Sequence, residues 1–129
     1  MTDYTFGIVV DREFDAVVDE VTAALQVEGF GVLTEIDVQA IMKAKLDHEM
    51  APYRILGACN PPLARRAISA EAEIGALLPC NVVVRATDAG VAVDFMDPAA
   101  VMSLVDRDGI AEVAAEVRAK MQRVAAAIA

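Results

Sequence analysis

Hydrophobic positions change their spacing several times along the chain, and each change marks an element. Residues 5–10, TFGIVV, are a short apolar run fit for a buried strand. Phe14, Val17, Val18, Val21 and Leu25 then recur at intervals of three and four, which is the spacing of one helix face. Asp11 or Asp15 is expected near the start of this helix, and Gly29 and Gly31 at its end, because glycine adopts left-handed backbone angles without steric penalty. A second strand, 32–36, leads to Asp37, whose carboxylate suits the N-cap of a helix reaching Leu46, with Val38, Ile41, Met42 and Leu46 on its apolar side.

Residues 53–58 read as a third strand, ending at the corner Cys59-Asn60-Pro61-Pro62. A helix follows with Leu63, Ala67 and Ala70 on one face. Pro62 disfavours helical angles at Pro61, so the start is expected at Pro62, leaving Asn60 one position early for a cap and either free or in a local Asx turn. After a turn around 74–78, the runs 80–87 and 91–96 flank Asp88-Ala89-Gly90, a connection suited to a hairpin. Asp97-Pro98 starts another helix. The last helix, from about Gly109 to Ile128, lines up Ile110, Val113, Val117, Met121, Val124 and Ile128, a stripe expected to pack on the chain's own sheet. The order β-α-β-α-β-α-β-β-α-α predicts an α+β (α/β two-layer) fold: one domain over 1–129, with a mixed sheet of about five strands and a C-terminal hairpin.

Charge narrows the range of partners. The formal net charge is -9, and residues 1–52 carry 11 acids against 3 bases. Nucleic-acid affinity rests on lysine and arginine displacing counterions, so such a partner is not expected; Arg54, Arg65 and Arg66 are the only local basic concentration. No apolar run approaches the roughly 20 residues that span a bilayer, and Asp3 and Asp11 bracket the N-terminal apolar run, so neither a membrane segment nor a secretory signal is expected. The expected setting is cytoplasmic. Valine and alanine content, together with apolar faces that a short sheet leaves uncovered, predict a homodimer through an edge strand or the C-terminal helix.

The candidate chemistry is concentrated in a repeated dipeptide. Both cysteines of the chain are followed by asparagine, as Cys59-Asn60 and Cys80-Asn81, each beside proline. Gly29-Phe30-Gly31 lies between a helix and a strand, the reverse of the order that aims helix N–H groups at a pyrophosphate. Pro61 and Pro62 remove two donors that a phosphate cradle needs, and the single histidine, His48, excludes a two-histidine zinc helix. Whether the two cysteines share a site depends on strand direction. If the third and fourth strands are antiparallel neighbours, the cysteines meet at one sheet edge; if parallel, about 20 Å separates them. One helix and a turn between them favour the first arrangement.

The blocks 53–61, YRILGACNP, and 78–84, LPCNVVV, resemble the two signature blocks of the family known as domain of unknown function 302. Residues 36–46 and 71–84 are similar to it in order and spacing, so the resemblance covers nearly the whole chain. It implies a compact, mostly bacterial α/β domain whose biochemical role is not established. His48 lies outside these blocks and Arg65-Arg66 is more basic than the resemblance implies, so neither inherits a role.

Three functional classes follow. In a binding module, Cys59, Asn60, Cys80 and Asn81 line one pocket for a small ligand or a metal, with Tyr53 or Glu71 beside it. Two thiolates at Cys59 and Cys80 suit Zn²⁺ or Cu(I), but a closed zinc site wants four ligands, so a carboxylate or a second subunit must complete it. In an enzyme, Cys59 is a nucleophile at a helix start with His48 as base. In the third class both cysteines are small buried hydrophobes and the protein works by self-association. A transient bridge between them would make a redox sensor. The sequence names no cofactor.

Overall fold

The computed structural model describes residues 2–129. Its elements are β1 Thr5–Val10, α1 Phe14–Val27, β2 Gly31–Asp37, α2 Val38–Leu46, β3 Tyr53–Cys59, α3 Pro61–Ala70, a short 3-10 helix Ala72–Leu77, β4 Cys80–Thr87, β5 Gly90–Met96, α4 Pro98–Met102 and α5 Ile110–Ile128. This is the order the periodicity predicts. The five strands form one sheet in the order β1-β5-β4-β3-β2.

Every neighbouring pair in that sheet is antiparallel, where a mixed sheet was expected. The reason lies in how the helical connections close. The chain leaves β2 through α2 and returns immediately beside β2 in reverse, and α3 returns it beside β3 in the same way. β1 and β2 do run in the same direction, as a strand-helix-strand order suggests. They stand at opposite edges, however, with β5, β4 and β3 between them.

Helix ends follow the expected chemistry with two corrections. Asp37 and Asp97 cap as predicted, accepting from the backbone N–H of Ala40 at 2.9 Å and of Ala99 at 3.0 Å. For α1 the cap is Glu13, between the two aspartates expected there; its carboxylate accepts from the N–H groups of Asp15 and Ala16. α3 begins at Pro61 and not at Pro62, with Asn60 as its N-cap. Both prolines occupy first-turn positions whose N–H groups have no partner within a helix, so neither removes a needed donor. Gly29, at φ 85°, turns the chain out of α1.

Alternation along the strands gives the sheet one covered and one open face. Phe6, Ile8 and Val10 stand opposite Phe95, Val93 and Val91; Val82 and Val84 continue the same rows, and Leu56 and Ala58 extend them. Over this face lie Val17, Val18, Val21 and Leu25 of α1, Leu63 and Ala67 of α3, and the whole predicted stripe of α5. Ala70, expected beside Leu63 and Ala67, is exposed because α3 ends there. The Phe6 and Phe95 rings stack with centroids 5.3 Å apart. Each large side chain fully buried in this layer contributes about 1.5–3 kcal/mol. The opposite face carries Val9, Ile55, Val83, Arg85 and Asp94, and among the described residues no helix lies buried upon it.

Phe95→Ala is expected to cost about 3–5 kcal/mol, the range for removing a buried aromatic ring. Leu104→Ala, at a residue 77% exposed, is expected to cost less than about 0.5 kcal/mol. Urea denaturation of the two variants checks both figures.

Candidate functional site

The pairing of β3 with β4 decides where the cysteines lie. Ala58 stands opposite Cys80, so Cys59 ends β3 beside the start of β4, and the two thiols share one end of the sheet. They do not share a side of it. Cys80 points with Ala58 into the covered layer and is buried, whereas Cys59, one position on, faces the other way and is half-buried. Both thiols are free, and their side chains leave opposite faces, which is unfavourable for a direct bridge.

Burial, with a smaller contribution from nearby Cys59, pushes the Cys80 thiol up from 9.0 to about 11. Cys80 is therefore a protonated thiol at neutral pH, neither nucleophile nor metal ligand without a compensating charge. Among the described residues no three His, Cys, Asp or Glu side chains gather as a metal set. His48 is exposed in the segment leading into Tyr53, at the opposite end of β3 from Cys59. A seven-residue strand separates them by about 20 Å, so the nucleophile-base pair is not assembled within one chain.

The two asparagines differ as the cysteines do. Asn60 is 9% exposed; its Oδ1 accepts from the Leu63 N–H and its Nδ2 donates to the Glu28 carbonyl, both at 3.3 Å. It fastens the start of α3 to the end of α1. Asn81 is exposed on the open face, opposite Gly57. Tyr53 pairs with Arg85 at the far end of β3, and Glu71 ends α3, where it holds Arg107 at 2.8 Å. Of the six residues expected around one pocket, the structure brings together Cys59, Asn60 and Cys80, and not Asn81, Tyr53 or Glu71.

Those three line a cavity of about 350 Å³ that wraps around the end of β3 and so reaches both thiols; its other walls come from α3, α4, α5, the segment holding Gly75, Leu78 and Pro79, and Leu33 and Thr34 of β2. Leu63, Ala67, Met102 and Val117 form its floor, and Leu33 and Ile68 its exposed rim. None of the lining residues is charged. The polar groups are the Thr34 hydroxyl, the Asn60 amide and the two thiols. Gly57 permits this shape, because a Cβ there would collide with the Thr34 hydroxyl and come within 2.9 Å of Pro79. A wider hollow of about 520 Å³ lies along α4 and α5, but its two arginines are committed, Arg107 to Glu71 and Arg118 to Asp97. Sequence reasoning placed Leu63, Ala67 and Val117 on apolar faces but missed them as cavity walls; the abundance of small residues, Ala58, Ala64, Ala67 and Ala114, was the available signal.

A rise from 9.0 to about 11 lowers the thiolate fraction of Cys80 about a hundredfold at pH 8. In Cys59→Ser protein, Cys80 is expected to react with iodoacetamide at that reduced rate until denaturant is added, and faster as pH climbs toward 11; timed mass spectrometry measures it. Burial favours the protonated thiol in the folded state, so stability present below pH 9 is expected to decline between pH 9 and 11. Asn60→Ala is expected to cost about 1–2 kcal/mol, and Asn60→Asp no less, since it keeps the cap but turns a nearly buried carboxylate oxygen against the Glu28 carbonyl.

Two of three comparisons with known proteins find a likeness to this chain. The family model described as "Domain of unknown function DUF302" matches residues 6–128. A crystal structure of an uncharacterized conserved protein DUF302 from Bacillus stearothermophilus superimposes with a TM-score of 0.92, covering 99% of this chain and 100% of that one. The identity is 22%, so the likeness is one of fold. No curated protein matches the chain. With the family model spanning all but the outermost residues, and with both Cys-Asn blocks inside the match, the chain belongs to the DUF302 family.

Proposed function

We propose that this domain binds a small, uncharged, largely apolar molecule at the end of the sheet where Cys59 and Cys80 meet. The observation that carries the reading is the cavity's lining: nineteen residues, none of them charged, with only one hydroxyl, one amide and two thiols for polar contact. Its volume of about 350 Å³ falls in the range of small-molecule sites, which are mostly apolar with few polar groups. An ionised ligand would enter it without a countercharge, at a cost of several kcal/mol. Asn60 already spends one donor and one acceptor on the backbone, so it serves chiefly as a wall.

Metal binding is the weaker form of the binding reading. Metal needs thiolates, burial favours the Cys80 thiol, and no third ligand stands by. The half-buried Cys59 thiol suits a weak hydrogen bond to the occupant better than a closed coordination shell. Free thiols fit a reducing, cytoplasmic setting. Among the described residues, no helix is long and apolar enough to cross a membrane.

Nile red, a neutral apolar dye, provides the test. One dye per chain is expected to bind saturably with blue-shifted emission and to be displaced by decanol. Ala64→Trp, which fills the cavity from a half-exposed position on α3, is expected to weaken binding at least tenfold with the circular dichroism spectrum unchanged. Ile68→Glu at the rim provides a second variant that leaves the core intact. Saturable binding that neither substitution alters, or no saturable binding, would favour the remaining reading, in which the cysteines are inert core residues.

A further inference from the structure

The chain contains a helix that only partly meets its own sheet, with Val38 and Met42 half-buried beside β3, and a sheet face that no helix buries. α2 spans nine residues and buries none of them; Ile41 and Leu46 of its apolar side are 44% and 70% exposed. Its contacts with β3 and the Gln39 bond to the Met50 carbonyl hold one side of α2, and Ile41 and Leu46 on the other side are left to solvent. The open face of the sheet has the converse problem. Val9, Ile36, Ile55 and Val83 lie along it; Val9 and Ile36 are 55% and 42% exposed, Ile55 and Val83 half-buried.

We infer that a second copy of this chain covers the open sheet face, each copy laying its α2 against the outer face of the other. Both unmet surfaces belong to the same chain, so a two-fold arrangement satisfies all four at once, and the contact closes on itself. Charge allows this approach and opposes most others. At a net charge of -9 two copies repel, but the only charged residues in the middle of the open face, Arg85 and Asp94, neutralise each other across β4 and β5 at 2.7 Å.

Five strands about 4.8 Å apart and about 20 Å long give a flat footprint of roughly 480 Å². Side-chain relief raises the accessible area above the flat value, and α2 adds to it, which brings the contact toward the roughly 800 Å² per partner of a stable interface. Of the two contacts expected from sequence, the C-terminal helix is already buried against its own sheet, and the edge strands β1 and β2 stay available beside this face.

Sedimentation equilibrium from micromolar to millimolar concentration, joined to a spin-label experiment, tests the inference without reference to the cavity. The wild-type chain is expected to sediment as a dimer, and Val83→Arg and Ile41→Glu, both at positions outside the core, as monomers with unchanged circular dichroism. For the second arm, a nitroxide is placed on α2 in a Cys59→Ser, Cys80→Ala, Lys45→Cys copy and mixed with isotope-labelled wild-type chain. Broadening is expected at amides of the central strands β3, β4 and β5 in the labelled copy. A monomer at every concentration, dimers unaffected by both substitutions, or broadening confined to α1 and α5 would each overturn it.

Discussion

The antiparallel register between β3 and β4, with Ala58 against Cys80, is the constraint on which the rest of the molecule depends. It sends Cys80, Val82 and Val84 into the covered layer and Asn81, Val83 and Arg85 onto the open face. A slip of one residue would exchange the two sets and bury Arg85 and Asn81 under α1 and α5, which no hydrogen-bond partner there would offset. The same register explains why the repeated Cys-Asn does not act as a repeat. Its first copy ends a strand with cysteine outward and asparagine turned in as a helix cap; its second begins a strand with cysteine inward and asparagine outward.

Around that register the two layers have unequal packing. The centre of the covered face is filled by Phe95, Leu56, Val82, Val93 and the α1 residues Val17 and Val21, all essentially without exposure. At the Cys80 end the walls are built from Ala58, Ala64, Ala67, Ala114 and Gly75, and space remains between them. The hollow opens to solvent past Leu33 and Ile68, and its small-residue walls are what the proposed binding rests on. Asn60 holds α3 to the end of α1 at the wall of the hollow, and Gly57 lets Thr34 and Pro79 close over the strand.

Much of this was legible in the sequence because local rules set it. The element order, the hairpin after Thr87, the Asp37 and Asp97 caps and the α5 stripe each rest on a few neighbouring residues. Strand direction was harder, since it depends on where a connection lands; the sheet proved antiparallel throughout. Of the expected site, Cys59, Asn60 and Cys80 meet because β3 and β4 pair head to tail, while Tyr53 was misplaced by the length of a strand. Asn60 caps α3 although the constraint of Pro62 on Pro61 points to a later start, because the first turn of a helix tolerates proline at both positions. The cavity itself was beyond reach, being formed by the approach of α3 to α5, elements about 50 residues apart in the chain.

The account stands on the apolar hollow, not the open sheet face, being the place where a neutral ligand binds. Methyl-resolved nuclear magnetic resonance during a decanol titration distinguishes the two most directly. Saturable shifts are predicted at the methyl groups of Leu63, Ala67 and Val117, with those of Ile55 and Val83 unmoved. Shifts confined to Ile55 and Val83, or no saturable shift at the cavity walls, would contradict it.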